Sequence, residues 1–224
     1  MVKLVIVSIS NEIGRLRCGL VALAMASQVL GQDLSVDEAL EAARERKFSS
    51  HGEMFSVQQM RELSEKMMKV QVVLLHDMKC HKSTIVDHLV TGWPLLVPYD
   101  CDANHEPATR GGHRAHWAVI LGFCILDTSE PQKKDLRESR ITLKESSQYL
   151  KSMLQKCPDN LLMLLAKQGK SKYIKWWPFD QLCHSNRGLD QVNPKIEVSD
   201  FVLPENGNLR ESLANQFLMI RPDS

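Results

Sequence analysis

Cys18 lies at the start of a segment that could carry a reactive thiol. It is followed by Gly19 and then by Leu-Val-Ala-Leu-Ala-Met-Ala, a run rich in strong helix formers, so we predict that a helix begins at or just after Cys18. Free backbone N–H groups and the positive end of the helix dipole would favour the thiolate, and Arg15 and Arg17 would act in the same direction. Gly19 would leave the sulfur uncrowded. The alternative is a small apolar cysteine on a buried helix, which is the usual place for a free cysteine.

A histidine far downstream could act as the base for this thiol. His116 stands between glycines at 111–112 and 122, at the entrance of a short apolar stretch, 117–121, that we predict to be a buried strand. A thiol hydrolase needs a cysteine and a histidine that the fold, rather than the sequence, brings together. The sequence therefore predicts Cys18 as nucleophile and His116 as base, and no cofactor.

A third group would be needed to orient His116. Asp180, which follows the apolar stretch 176–179, is our first candidate, and Asn186 and Asp127 are the others. The reading of Asp180 as a turn or helix-cap residue stays open. We also consider His113 as a residue that lines the cleft.

A metal-binding or scaffolding protein is the main alternative from another functional class. Cys101, His105, His113 and His116 lie close in sequence and are residue types that hold zinc. Their spacing is irregular and the loop between them is long, so we predict no metal site and keep the zinc scaffold as an alternative.

Composition limits the remaining possibilities. The chain has 224 residues, 43% of them hydrophobic, and lacks a linker rich in Pro, Gly or Ser, so we expect one domain. The net charge of +1 without blocks of like charge gives no reason to expect nucleic-acid or membrane binding. The six cysteines show no CxxC pair or disulfide framework, which favours a reducing, cytoplasmic location. The apolar residues 2–9 are too few to span a membrane.

Helical patterns come first along the chain and strand patterns later, which indicates an α+β fold with an antiparallel sheet. We expect a helix from Cys18 to about Leu30, a second helix capped by Ser35 and Glu38, and a third that begins at Ser56. A further helix over 143–157 and a charged surface insertion near 127–160 are also expected. The predicted strands cover residues 70–75, 95–99, 117–121, 161–166, 170–177 and 215–220.

Five segments, in order, resemble the actin maturation protease family, which is close to the bacteriocin-processing, double-glycine branch of the papain-like thiol peptidases. They are Cys-Gly-Leu-Val-Ala-Leu at 18–23, Gly-Trp-Pro-Leu-Leu-Val-Pro-Tyr-Asp at 92–100, His-Arg-Ala-His-Trp-Ala-Val at 113–119, Leu-Ala-Lys-Gln-Gly-Lys-Ser at 165–171 and Ser-Asn at 185–186. The resemblance implies a papain-like fold in which an N-terminal helical half, with the cysteine helix, packs on a C-terminal antiparallel sheet. It covers 18–224 as one peptidase domain and leaves 1–17 as a divergent segment, for which an alternative start is one interpretation.

The resemblance also implies an activity. Enzymes of this family remove the acetylated first residue, Met or Cys, from immature actin, with a cysteine nucleophile and a histidine base at the positions of Cys18 and His116. Actin is then the expected partner, and the activity that of a cysteine aminopeptidase. Family members usually carry a proline-rich region that recruits profilin, and because this sequence contains no such region, profilin binding is not expected.

One departure from the papain-like pattern bears on activity. Those enzymes place a glutamine about six residues before the nucleophile, where it stabilises the oxyanion, whereas this sequence has Asn-Glu-Ile-Gly at 11–14. A carboxylate at Glu12 would oppose the negative charge that a donor stabilises by about 3 kcal/mol, while Asn11 offers a substitute donor. A catalytically impaired relative that still binds actin is therefore a further alternative.

Overall fold

The computed structural model of the chain describes residues 17–126, 157–194 and 201–223. Five α-helices and six β-strands occur in these ranges. The helices are α1 (Cys18–Val29), α2 (Val36–Glu45), α3 (Val57–Met68), α4 (Lys82–Val90) and α5 (Phe179–Arg187). The strands are β1 (Val70–His76), β2 (Leu95–Asp100), β3 (Ala115–Ile125), β4 (Leu162–Gln168), β5 (Lys175–Pro178) and β6 (Gln216–Pro222). Within these ranges, no helix combines the length and apolar character needed to cross a membrane.

The six strands form one sheet in the order β1-β6-β2-β3-β4-β5, and every pairing is antiparallel. The last strand of the chain therefore lies inside the sheet, between β1 and β2. Two cores flank the sheet, because alternate residues of a strand face opposite sides. On β3, Trp117 and Val119 belong to the core with α1, α2 and α3, whereas Ala118 and Ile120 belong to the core with α4 and α5. This arrangement confirms the expected α+β class, with the N-terminal helices packed on an antiparallel sheet.

Local sequence signals account for the helix boundaries. Ser35 and Glu38 form both hydrogen bonds of a capping box at the start of α2, and Ser56 caps α3 by accepting the N–H of Gln59. Helix α1 has no side-chain cap and is buried from Gly19 to Ser27, so its stability comes from packing. The predicted helix over 143–157 lies outside the described residues except for Cys157, as does most of the insertion predicted near 127–160.

Candidate active site

Cys18 is the first residue of α1, as the sequence predicts, and its side chain is half-buried. Burial raises the pKa of the thiol above its ordinary value of 9.0, and hydrogen bonds from the backbone N–H groups of Trp117 and Gly19 lower it by less. The expectation that the helix start favours the thiolate is therefore corrected: the effect is present, but desolvation outweighs it. The N–H of Trp117 also brings the sulfur next to the residue that follows His116.

The cation that acts on the thiol differs from the one we expected. The guanidinium of Arg17 forms an ion pair with Asp37 at 3.0 Å, whereas the positive charge of Lys170 lowers the pKa of Cys18. Arg15 lies outside the described residues. Gly19 has a packing role, since a Cβ there would lie 2.9 Å from the Cβ of Met54.

His116 is buried near the start of β3 and is held by an amide on the neighbouring strand. Its Nε2 lies 3.3 Å from Oε1 of Gln168, the last residue of β4. The same oxygen accepts the backbone N–H of Lys170 at 2.6 Å, which fixes it as an acceptor. Nε2 must then carry the hydrogen, and Nδ1 is the ring nitrogen with a free lone pair. The rings of Tyr99 and His105 pack against the imidazole, with centroids 5.7 and 5.5 Å away.

Burial lowers the pKa of His116 from 6.5 to about 4, although the hydrogen bond to Gln168 raises it. His105, Lys170 and Arg114 lower it further through their charges. At neutral pH the site therefore holds a neutral imidazole and a protonated thiol. The histidine can accept a proton from the cysteine, which is the role of a general base.

Gly169 allows the end of β4 to approach α1. A Cβ at this position would lie 2.6 Å from Cγ1 of Val21, one turn along α1 from Cys18. Any larger residue would force the strand end or the Val21 side chain to move. The glycine therefore allows Gln168 and Lys170 to lie close to the start of α1.

The loop between β2 and β3 is organised by one buried carboxylate. Asp100 accepts the backbone N–H groups of Gly112 at 3.0 Å and Arg114 at 3.2 Å, and also that of Arg110. These bonds fix the backbone of the loop that leads into β3 and to His116, because Arg114 immediately precedes Ala115, the first residue of that strand.

Cys18 and His116 line one pocket of about 800 Å³. The volume is in the range of small-molecule and peptide sites. Its walls include ionisable side chains of both signs and an apolar group: Glu53, His105, His113, Arg114, Lys170, Met54, Phe55, Val192, Phe201 and Leu213. His113 therefore lines the cleft.

Asp180 is not brought to His116. It lies in the first turn of α5, accepts the N–H of Gln181 at 2.9 Å and is not among the residues that line the pocket. Pro178 pairs with Met163 on β4, five residues from Gln168, which is roughly 16 Å along a strand. The turn-or-cap reading of Asp180 agrees with this position.

The other candidates for the third group are also elsewhere. The side chain of Asn186 donates to the carbonyls of Pro98 and Gln216 and joins α5 to the sheet. Asp127 lies outside the described residues. Gln168, which does contact His116, was missed, although it belongs to the segment 165–171 that carries the family resemblance and lies just after the strand predicted over 161–166.

The zinc alternative is not supported by the geometry. Cys101, His105, His113 and His116 all line the pocket, yet within the described residues no three His, Cys, Asp or Glu side chains are grouped so that they could hold a metal ion. Burial raises the pKa of the Cys101 thiol to about 11.

Fold and pocket together define an α+β protein with a cysteine at a helix start and a histidine on the adjacent sheet. Residues 10–124 match the family described as "Actin maturation protease-like, C-terminal domain". The chain is 34% identical over 221 residues to the actin maturation protease of Mus musculus, which covers 92% of this chain and 60% of that protein. For the protein of the same name from Danio rerio the identity is 33% over 224 residues, covering 93% of this chain and 70% of that one. The chain therefore belongs to the actin maturation protease-like family.

The chain spans about 60% of the length of the mammalian relatives it matches. Among solved structures, it is similar to a putative C39-like peptidase from Bacillus anthracis, with a TM-score of 0.49 and 10% identity, over 96% of this chain and 98% of that one.

Proposed function

We propose that this chain is a papain-like cysteine aminopeptidase that removes the N-acetylated first residue, Met or Cys, from immature actin. The observation that carries the proposal is the presence of Cys18 and His116 in one pocket, with the N–H of Trp117 on the sulfur. Its relatives are named actin maturation protease, which supports actin as the substrate. Residues 18–224 would form the peptidase domain.

The reaction begins with a proton transfer. Because Nε2 of His116 donates to Gln168, Nδ1 takes the proton of the Cys18 thiol. The resulting thiolate attacks the carbonyl carbon of the acetylated first residue, and the N–H of Cys18 at the start of α1 is a donor for the oxyanion. Asn11 and Glu12, the other groups considered for the oxyanion, lie outside the described residues.

Collapse of the tetrahedral intermediate breaks the peptide bond. The imidazolium of His116 gives its proton to the leaving amine, which becomes the new N-terminus of actin. Water, activated by the neutral imidazole, then hydrolyses the thioester and releases the acetylated amino acid and free Cys18. Gln168 keeps the ring in one orientation through these steps.

A cytoplasmic location agrees with the cysteines. All six are free, which suits a reducing compartment and a nucleophile that must remain a thiol.

The test is the cleavage of a peptide with the N-acetylated sequence of immature actin, followed by mass spectrometry. We expect loss of the acetylated first residue with the wild-type chain and no loss with Cys18→Ala. Cys183→Ala, which removes a buried cysteine outside the pocket, is the matched control and should retain activity. Cleavage by Cys18→Ala would contradict the assignment of the nucleophile. Binding of the peptide by the wild-type chain without any turnover would favour the catalytically impaired relative instead.

A further inference from the structure

Glu53 is a buried carboxylate in the wall of the pocket. Its Oε1 accepts the backbone N–H groups of Ser50 at 2.8 Å and Val202 at 3.0 Å. Its Oε2 accepts the N–H of His51 at 2.7 Å and the hydroxyl of Ser49 at 3.0 Å. Burial raises the pKa of this carboxyl, but the backbone donors hold it below its ordinary value of 4.5, so the group is ionised at neutral pH. No step of the proposed reaction uses this charge.

An amide in place of this carboxylate could not satisfy the same donors. A glutamine has one acceptor oxygen, and its NH2 group would face either the N–H groups of Ser50 and Val202 or that of His51. In both orientations a backbone N–H that is now bonded would lose its acceptor. The conformation of the Glu53 loop, residues 49–54, therefore depends on the negative charge.

This loop contacts the residues on both sides of the proposed nucleophile. Gly52 lies against Arg17, since a Cβ at Gly52 would be 2.5 Å from Cγ of that side chain. Met54 lies against Gly19, where an added Cβ would be 2.9 Å from the Cβ of Met54. Because α1 has no side-chain cap, these contacts are what the start of the helix rests on at this side.

The same loop is bonded to the strand that carries the proposed base. The carbonyl of Met54 accepts the indole N–H of Trp117 at 2.9 Å in a buried hydrogen bond. The backbone N–H of Trp117 is the donor to the sulfur of Cys18. One residue of β3 thus contacts the loop through its side chain and the thiol through its backbone, so a displaced loop would alter the contact with the thiol.

We propose that Glu53 is a positioning residue for the reaction, whose carboxylate holds the Glu53 loop so that the sulfur of Cys18 stays against the N–H of Trp117. The effect on turnover rests on the proposed function. The effect on the thiol is measurable without any substrate, so the two can fail separately.

The first experiment follows the alkylation of Cys18 by iodoacetamide as a function of pH, with mass spectrometry of the peptide that contains this cysteine. In Glu53→Gln, loss of a negative charge near the thiol would by itself move the midpoint to lower pH, whereas loss of the Trp117 N–H from the sulfur moves it to higher pH. We expect the move to higher pH. Asp77→Asn is the matched control and should leave the midpoint unchanged, because Asp77 also accepts a backbone N–H and pairs with Arg187 but lies outside the pocket lining.

The second experiment measures turnover of the N-acetylated actin peptide. Glu53→Gln should lower kcat by about tenfold to hundredfold with a smaller change in KM, because the nucleophile is displaced rather than the substrate. Asp77→Asn should retain the wild-type kcat. A wild-type chain that cleaves no peptide would overturn the proposed function, and the alkylation profile would then decide the role of Glu53 on its own.

Ser49→Ala is a milder change in the same loop and serves if Glu53→Gln does not fold. It removes one of the four hydrogen bonds to the carboxylate from outside the pocket lining, so the alkylation midpoint should move in the same direction by a smaller amount. In a Trp117→Phe background, which lacks the indole N–H, either substitution should have a reduced effect.

The position of the midpoint decides between positioning and support of the fold. A lower free energy of unfolding in Glu53→Gln, with an unchanged midpoint and an unchanged kcat, would overturn the proposal. So would a midpoint that moves to lower pH, or one that stays in place in Ser49→Ala when this is the folded variant.

Discussion

Gln168 contacts the base of the proposed reaction through a single oxygen. Its Oε1 receives both the Nε2–H of His116 and the N–H of Lys170, so the amide is held in place by the turn that follows it. An amide orients the ring without adding a negative charge. The imidazole is therefore held in one tautomer while its pKa stays low.

We expect Gln168→Ala to lower kcat by about 10²-fold with little change in KM, because a poorly oriented base is misplaced for the proton transfer. Gln168→Glu retains the acceptor and adds a negative charge that stabilises the imidazolium, so the acid limb of the pH profile of kcat/KM should move to higher pH. Gln71→Ala, at an exposed glutamine of β1, is the control. An unchanged acid limb in Gln168→Glu would contradict the contact with His116.

At this scale the sequence singled out two residues, Cys18 and His116, that the structure places in one pocket, but it did not single out Gln168, whose amide contacts His116. Cys18 and His116 are reactive residue types with informative neighbours: a helix-forming run after the cysteine and a strand after the histidine. Gln168 is a common polar residue whose role depends on a hydrogen bond to a side chain 52 positions away. Asp180 was favoured because a carboxylate can orient a histidine, but α5 carries it to the other end of β4.

Among the elements, α1 carries Cys18 at its start and packs closely against the end of β4, where Gln168 contacts His116. Gly169 lies where the chain leaving β4 comes closest to α1, and the neighbouring side chain on the helix is that of Val21. The packing of helix against strand at this point leaves no room for a methyl group.

Gly169→Ala should lower the free energy of unfolding by about 1–3 kcal/mol, the usual cost of overpacking, and should also lower activity because Gln168 and Lys170 shift with the turn. Gly122→Ala on β3 is the matched control, since a Cβ there has no neighbour closer than 3.9 Å. Chemical denaturation of the two variants measures the change in the free energy of unfolding, and the peptide-cleavage assay measures the change in activity.

A double-mutant cycle tests whether a clash with Val21 causes the loss of stability expected in Gly169→Ala. In a Val21→Ala background, which removes the Cγ1 atom, the same glycine substitution should cost less. An equal cost in both backgrounds would exclude a clash with Val21 as the reason.

Local signals were sufficient for most elements, because capping boxes, helix-forming runs and alternating strands are encoded by neighbouring residues. Helix α1 was expected to end near Leu30 and ends at Val29. β3 is longer than predicted, from Ala115 to Ile125, because its second half pairs with β4 across a register shift near Gly122. Such pairing depends on a strand far along the chain, so the local pattern could not reveal it.

For the molecule as a whole, buried histidines link stability to pH. Burial lowers the pKa of His116 from 6.5 to about 4 and also lowers that of His88. The unfolded chain binds protons on these side chains at a higher pH than the folded chain does. The stabilisation is therefore complete above about pH 6.5 and is lost as the pH falls towards 4.

We expect the free energy of unfolding to be about 2 kcal/mol lower at pH 5 than at pH 7 from His116 alone. Urea denaturation at the two pH values measures it. The variant His116→Gln, which cannot take up the proton, should lose this part of the dependence, and His113→Gln, at an exposed histidine of the same pocket, should retain it. Equal pH dependence in His116→Gln and the wild-type chain would contradict the low pKa.

The order of the strands has a consequence for synthesis on the ribosome. β6 is the last strand to be made, yet it joins β1 to β2 through the pairs Val72↔Ile220 and Leu96↔Leu218. Until it emerges, β1 and β2 present unsatisfied edges, and the helical half that carries the thiol has no continuous sheet beneath it. Cys18 precedes every strand along the chain, whereas the sheet on which α1 packs becomes continuous only when β6 has paired with both β1 and β2.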